Sequence, residues 1–470
     1  MNNDRRTFLK QSGLVGAGML GASLSGFASM IDAAKNHRQQ FNMSGYCAPP
    51  LETVRTGYIG VGSRGTSAVR RANFIEGLKV NALCDVRPEK LEAAKQLLTP
   101  SRHQPEIYTG HQEEWKKLCD REDIDLVYIA TPWHLHVPMA VYAMEQGKHV
   151  AVEVPAAITA EECWQLVETS EKTRKHCMML ENCCYDFFEL LTLNMARQGF
   201  FGEIIHGESA YIHGLLGSQF ARDKYYDMWR LKQNMSRNGN LYPTHGLGPV
   251  CQVMNINRGD KMDYLVSVSS KDFMMNNVAG ELAAEDTYYK QYVDKPYRGN
   301  MNTTIIHTAK GRTIMVQHDV TSPRPYSRIH LISGTKGIAR KWPLPARIAV
   351  GHGEWLPDEE MKAIEEQYTP EIVKKVGEMA KQVGGHGGMD FMMDWRLIDC
   401  LRNGLPLDQD VYDAATWSVV GPLSEWSVAN RSGSIDVPDF TSGAWKTNQP
   451  VSLTLEGGGT TGVLAADQTH

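Results

Sequence analysis

The chain has 470 residues, 42% hydrophobic and 22% charged, which predicts two domains and excludes wholesale disorder. Lys and Arg number 49 against 54 Asp and Glu, a net charge of −5, and no basic run stands out, which excludes a dedicated nucleic-acid surface. The nine cysteines include no C-x-x-C pair. No disulfide framework is expected, and most should be small buried side chains of a protein folded in a reducing compartment.

The first feature along the chain is Arg5-Arg6 with Phe8 and Leu9, then a charge-free stretch from Gln11 to Ile31 diluted by five glycines. That stretch is too rich in Gly and Ser for a good membrane span, and residues 1–31 read as a twin-arginine-type signal. This route exports proteins already folded, so unpaired cysteines are compatible with a periplasmic destination. Residues 32–52, with Pro49 and Pro50, read as a linker. No stable membrane span is expected in the mature protein.

A short apolar strand at 54–59 runs into Gly60-x-Gly62-x-x-Gly65, with a helix expected over 66–76. Gly60 makes the tight turn, Gly62 lets the backbone approach a pyrophosphate, and Gly65 lets helix and strand pack closely. Free N–H groups at the helix start hold phosphates. A second strand, Lys79 to Cys84, ends in Asp85, about 25 residues beyond Gly60 and near the expected position of a ribose-binding acid. A carboxylate there accepts from ribose hydroxyls and repels a 2′-phosphate, so NAD is favoured over NADP, although Arg87 lies close by. Asp85 is also suited to cap the helix beginning near Pro88.

Strand signals at 125–130 and 149–154 alternate with helical segments at 112–120 and 137–146, which predicts a Rossmann-type doubly wound parallel sheet over 53–182. Polar motifs fall at the carboxyl ends of its strands, where ligands bind such sheets. They are Thr131-Pro132-Trp133-His134-Leu135-His136, Glu153-Val154-Pro155, and Glu181-Asn182 after a strand at Cys177 to Leu180.

These motifs together resemble the Gfo/Idh/MocA oxidoreductase-like family over about residues 54 to 430. The resemblance implies a C-terminal α+β domain built on an open, mostly antiparallel sheet. It also exposes a departure, because most dehydrogenases of that family carry Glu-Lys-Pro where this chain has Glu153-Val154-Pro155. Valine cannot transfer a proton, so the usual dehydrogenase group is missing.

Residues 183–445 read as the substrate domain, and 446–470 as a C-terminal tail. Strands are expected at 203–212, 263–271, 302–308, 312–320 and 328–333, and helices at 246–256, 358–380, 389–403 and 410–430. Tyr242-x-x-His245 stands just before the first of these helices. A His at a helix N-terminus tends to stay neutral, which suits a base, though a structural turn-capping role is the alternative.

The twin-Arg leader, Gly62-Ser63-Arg64-Gly65, Asp85, Trp133-x-x-His136, Glu153-Val154-Pro155, Asn182, Tyr211, Trp229-Arg230, the run from Gly239 to Gly246, and Tyr326 together resemble glycoside hydrolase family 109. These are NAD-dependent α-N-acetylgalactosaminidases within the same superfamily. The family pattern has Glu-Trp inside the Trp-x-x-His motif, where this chain has His134-Leu135. The resemblance implies one tightly bound NAD per subunit, contacted by Gly60, Gly62, Ser63, Arg64, Gly65, Asp85, Trp133, His136, Glu153, Val154 and Asn182. It implies a glycoside held by Tyr211, Arg230, Tyr242, His245 and Tyr326, with His245, Tyr242 and Tyr326 as catalytic candidates.

Other chemistries find no support in the sequence. There is no H-E-x-x-H, His134-x-His136 lacks a third ligand at zinc spacing, and no metal is expected. No G-x-S-x-G elbow offers a serine nucleophile, and no pair of carboxylates stands out as an ordinary glycosidase would need. The expected reaction is transient oxidation at C3 of the sugar, elimination at C1–C2 and addition of water, without net redox. His245 is the first candidate for moving a proton at the C3 hydroxyl or C2. An NAD-linked sugar dehydrogenase and a non-catalytic NAD-bound sugar-binding protein are the competing readings, and a homodimer is possible.

Overall fold

The computed structural model describes residues 37–100 and 102–464. The twin-arginine signal and the start of the linker lie outside the described residues. Within them, one parallel sheet contains β1 (Val54–Ile59), β2 (Leu78–Cys84), β3 (Glu106–Tyr108), β4 (Leu126–Ile129), β5 (His149–Val152) and β6 (Cys177–Met179). Their order is β3-β2-β1-β4-β5-β6, so the order of winding reverses between β1 and β4 and leaves a crevice beyond their carboxyl ends. The central strands read VRTGYI, LVYI and HVAV and are almost entirely buried, as expected of strands covered by helices on both faces.

The second sheet contains β7 (Ile204–Ile212), β8 (Met262–Ser269), β9 (Asn302–Thr308), β10 (Thr313–Asp319), β11 (Leu331–Gly334), β12 (Gly337–Arg340), β13 (Arg347–Val350) and β14 (Ile435–Asp436). Its order is β13-β12-β11-β7-β10-β9-β8-β14. The β7–β10 pair is parallel and the other pairs among the described residues are antiparallel. The parallel Rossmann-type sheet and the second, mostly antiparallel sheet expected from the sequence are therefore both observed. Helices Thr244–Met254 and Val420–Ala429 pack on β7 and β8 respectively. At Gly246 a Cβ would come within 2.5 Å of Ala210 N, so glycine is what lets this helix start directly against β7.

Several boundaries differ from the sequence pattern for identifiable reasons. The first helix runs Ser63–Ala72, three residues earlier than expected, because Gly65 lies within its first turn. The helix expected at 358–380 is two, Asp358–Tyr368 and Glu371–Val383, divided at Pro370. The helix expected at 410–430 divides into Val411–Ser418 and Val420–Ala429, because Pro422 has no N–H for the Ser418 carbonyl. The strand expected from 328 begins only at Leu331, since Ile329 and His330 have φ of 60° and 48°.

The flanking segments pack on the body. Met43 and Ala48, in the described part of the expected linker, are buried, and Gln39 Nε2 donates to Tyr412 Oη at 2.8 Å. At the other end, Trp395 Nε1 donates to Thr461 O at 3.1 Å, and Val463 bridges to Ile75 beside the first helix. Cys47 is exposed, the other eight cysteines are buried, and all nine are free thiols. Among the described residues no helix is long and apolar enough to cross a membrane.

Candidate active site

Beyond β1 the chain turns at Gly60, with φ of +84°. A Cβ on Gly65 would lie 1.9 Å from Gly60 O, so only glycine allows the helix to start against the loop. That helix has no side-chain cap at its N-terminus, which leaves its first backbone N–H groups for an anion. Asp85 braces the loop: Oδ2 accepts from Val61 N at 3.0 Å, and Oδ1 accepts from Arg87 N at 2.9 Å. The carboxylate orders the start of the next helix, as the capping reading expects, and stands at the end of β2 beside the glycine turn. Arg87 Nε is 3.3 Å from Asp85 Oδ1, so its charge is partly neutralised. Uncapped amides, glycines at the close approaches of the loop and a carboxylate at the end of β2 fit a dinucleotide with a free ribose diol.

Arg64 is tied across the crevice. Its Nε donates to Glu153 Oε1 at 2.9 Å, and its Nη1 to Asp390 Oδ2 at 3.0 Å. Asn182 Nδ2 donates to the other oxygen of Asp390. Burial alone would raise the Asp390 pKa, but the hydrogen bond from His386 and the charges of Arg64 and Arg71 hold it far below the carboxylate range. His136 has both ring nitrogens 2.8 Å from backbone carbonyls, those of Pro155 and Thr131. It clamps the loops after β4 and β5 together. Val154 is buried, Ser63 is exposed at the helix start, and His134 is exposed beside a half-buried Leu135.

The substrate-side residues converge next to this crevice. Tyr211, near the end of β7, has its ring centroid 4.6 Å from that of Tyr242 and 5.3 Å from that of His245. Tyr326, between β10 and β11, stands edge-on to Tyr211 at 6.5 Å. Trp133, after β4, stacks on Tyr242 at 5.7 Å and meets Trp229 at 5.0 Å. One aromatic wall thus joins the nucleotide half to the substrate half. The Arg230 guanidinium lies 4.8 Å over the Tyr242 ring, and its buried Nη2 has no hydrogen-bond partner.

Burial raises the pKa values of the Tyr211, Tyr242 and Tyr326 phenols, and Arg328 beside Tyr326 does not reverse this. All three are therefore protonated donors at neutral pH. His245 Nδ1 lies 2.7 Å from Glu181 Oε1, with Glu181 fully buried. Burial pushes the Glu181 carboxyl up, but its interactions with His245 outweigh this and hold it below its ordinary value. The pair has the form of a base oriented by a carboxylate.

Residues 185–447 match the family described as "Glycosyl hydrolase 109, C-terminal domain", and residues 54–181 match "Oxidoreductase family, NAD-binding Rossmann fold". The chain is 48% identical over 460 residues to a "Glycosyl hydrolase family 109 protein 1" of Shewanella sp. (strain MR-4), covering 96% of this chain and 99% of that one. The chain belongs to glycoside hydrolase family 109. An "Alpha-N-acetylgalactosaminidase" of Bacteroides fragilis is 50% identical over 412 residues, covering 87% of this chain and 96% of that one. Among solved structures, a levoglucosan dehydrogenase in complex with NADH and L-sorbose has a TM-score of 0.63 at 18% identity, covering 83% of this chain and all of that one. An aldose-aldose oxidoreductase from Caulobacter crescentus has a TM-score of 0.58 at 17% identity, covering 82% of this chain and all of that one. These two share the fold. As a family 109 member the chain is an enzyme with an NAD-binding Rossmann domain.

Four residues of this family 109 site were given no role by the sequence reading. Glu181 was visible as a polar strand end, but its pairing with His245 spans 64 positions. His386 sits within, and Asp390 just beyond, the run Gly384 to Gly388, whose φ values are all positive. His213, two residues beyond Tyr211, meets the Tyr326 ring at 5.1 Å.

Proposed function

We propose that the enzyme hydrolyses terminal α-linked N-acetylgalactosaminides by transient oxidation at C3, with no net redox. The observation that carries this reading is the Glu181–His245 pair, set in an aromatic wall that Trp133 shares with the dinucleotide crevice. The identity with the Bacteroides fragilis α-N-acetylgalactosaminidase supports the substrate class. Gly60, Gly62, Ser63, Arg64, Gly65 and Asp85 would hold NAD through its phosphates and ribose, one molecule per subunit retained through turnover. When bound, NAD supplies reversible oxidation of the sugar's C3 carbinol.

His245 moves the proton at the C3 hydroxyl or at C2. With C3 at the ketone level the C2 proton is acidic, its removal expels the C1 substituent, and it returns after water adds at C1. Glu181 keeps the imidazole oriented and balances its positive charge. The Tyr211, Tyr242 and Tyr326 phenols, held protonated by burial, donate to sugar oxygens. The free Nη2 of Arg230 is matched to the N-acetyl carbonyl or a hydroxyl. Val154 offers no proton, in keeping with a route that releases no oxidised sugar.

The test is hydrolysis of an aryl α-N-acetylgalactosaminide in D₂O. Deuterium at C2 of the released sugar, with no accumulation of NADH, is the expected result. Cleavage after NAD removal with C2 hydrogen fully retained would overturn the mechanism, and stoichiometric NADH would favour a dehydrogenase instead. The same reading includes export of the NAD-loaded protein to the periplasm through Arg5-Arg6. It also includes a homodimer formed through the outer sheet face that exposes Tyr264, Val268 and Ile305. Fractionation of an Arg5→Lys/Arg6→Lys variant tests the first, and light scattering of the purified protein tests the second.

A further inference from the structure

Immediately after β6 the turn Asn182–Tyr185 bends the chain back, and Cys183 N donates to Glu181 Oε1 at 3.1 Å. This brings the Cys183 thiol under the Glu181–His245 pair. A carboxylate oxygen of Glu181, Sγ of Cys183 and a ring nitrogen of His245 all lie within 4.8 Å of one another. Glu181 and Cys183 are fully buried, while the His245 side chain keeps 13% exposure and gives the trio its opening to the cleft. Glu181 Oε2 is buried with no hydrogen-bond partner, and Cys183 Sγ has a long 3.5 Å contact with Asn182 Oδ1.

We infer that Glu181, Cys183 and His245 form an inhibitory site for a zinc-type divalent cation. One thiolate, one imidazole and one carboxylate are donors that select zinc over magnesium or calcium. Zinc–ligand distances of about 2.0 to 2.3 Å set tetrahedral donor atoms roughly 3.3 to 3.8 Å apart, so on binding the 2.7 Å Glu181–His245 contact opens and the wider separations within the trio close. The fourth position faces the cleft, where water or a sugar hydroxyl completes the shell. On binding, the Cys183 S–H bond breaks, the S–Zn bond forms and the proton leaves to solvent, with no change of oxidation state. Metal binding itself stands on the geometry. Its inhibitory effect rests on the proposed reaction, because the ion occupies His245 and removes it from proton transfer.

The experiment uses the full NAD-loaded enzyme, freed of metal with EDTA and then titrated with Co²⁺ and Zn²⁺. The expected result is a thiolate-to-cobalt charge-transfer band that Zn²⁺ displaces, with hydrolysis lost in parallel and restored by EDTA. Cys183→Ala and Cys183→Ser should hydrolyse substrate at close to the parent rate without metal. Each should lack the band and need at least tenfold more Zn²⁺ for half inhibition. A parent enzyme without the band, or variants inhibited at the same Zn²⁺ concentration as the parent, overturns the site. A charge-transfer band in a protein without glycosidase activity upholds the site while rejecting the proposed function, so the two fail separately.

Discussion

Glu181 Oε1 and His245 Nδ1 lie 2.7 Å apart and join the end of the last nucleotide-domain strand to the first turn of helix Thr244–Met254. Two glycines make this possible, since a Cβ at Gly246 would strike Ala210 and one at Gly248 would press on Glu181 Cγ at 3.0 Å. Glu181→Gln keeps the shape and removes the charge that balances imidazolium. The expected loss is on the order of a hundredfold in kcat, the typical share of an acid–base group, with bound NAD retained. Unchanged kcat in steady-state assays would make the pair purely structural.

The three tyrosines should behave as donors and not as bases. Burial raises each phenol above its ordinary pKa, so none ionises between about pH 6 and pH 9. Tyr326→Phe should lower kcat/KM roughly tenfold, the worth of one neutral hydrogen bond. The loss should be uniform across that range, leaving the shape of the pH profile unaltered. Disappearance of a basic limb in the variant would instead assign proton transfer to Tyr326.

Under the proposed function, Asp85 sets the choice of nucleotide. Purified protein, denatured without added cofactor, should release NAD and no NADP, measured chromatographically. Asp85→Ser should lose most of the bound NAD, because the carboxylate proposed to take the ribose goes and the bonds from Val61 N and Arg87 N loosen with it. Circular dichroism checks that the fold survives. NADP in the parent protein would reverse the reading.

Much of this was legible because the decisive signals were local. The run from β1 through Gly65 to Asp85 carries its own turn geometry and spacing, and Tyr242-x-x-His245 sits at a helix start that the sequence marks. What the sequence did not reveal depends on distant contacts. Arg64 meets Asp390 across 326 positions, and no period or spacing encodes that pairing. His136 shows the converse: its motif position suggested the cofactor, yet both ring nitrogens face backbone carbonyls. The break at Pro422 falls one helical turn before the proline, where the unbonded Ser418 carbonyl lies.

The last prediction concerns acid stability. His103 is 2% exposed, and its Nδ1 accepts a hydrogen bond from Val80 N at 3.2 Å, so the native fold requires the neutral ring. Burial, with help from the charges of Arg102 and Lys79, pulls its pKa from 6.5 down to about 4. In the unfolded chain the imidazole takes up a proton near pH 6.5, whereas the native chain resists until about pH 4. The unfolded state therefore binds more protons in this window, and stability falls as pH falls. The stabilisation is fully present above the unfolded pKa and amounts to roughly 3 kcal/mol lost by the lower limit. His103→Gln can still accept the Val80 N–H through its carboxamide oxygen, but it cannot titrate. Thermal melts at about pH 7 and about pH 5 should give the variant a lower Tm at the higher pH and a smaller drop between the two. His149 and His176 are also buried with lowered pKa values and titrate in both proteins, so the difference between the slopes isolates His103. Identical slopes in parent and variant would remove His103 as a source of acid lability.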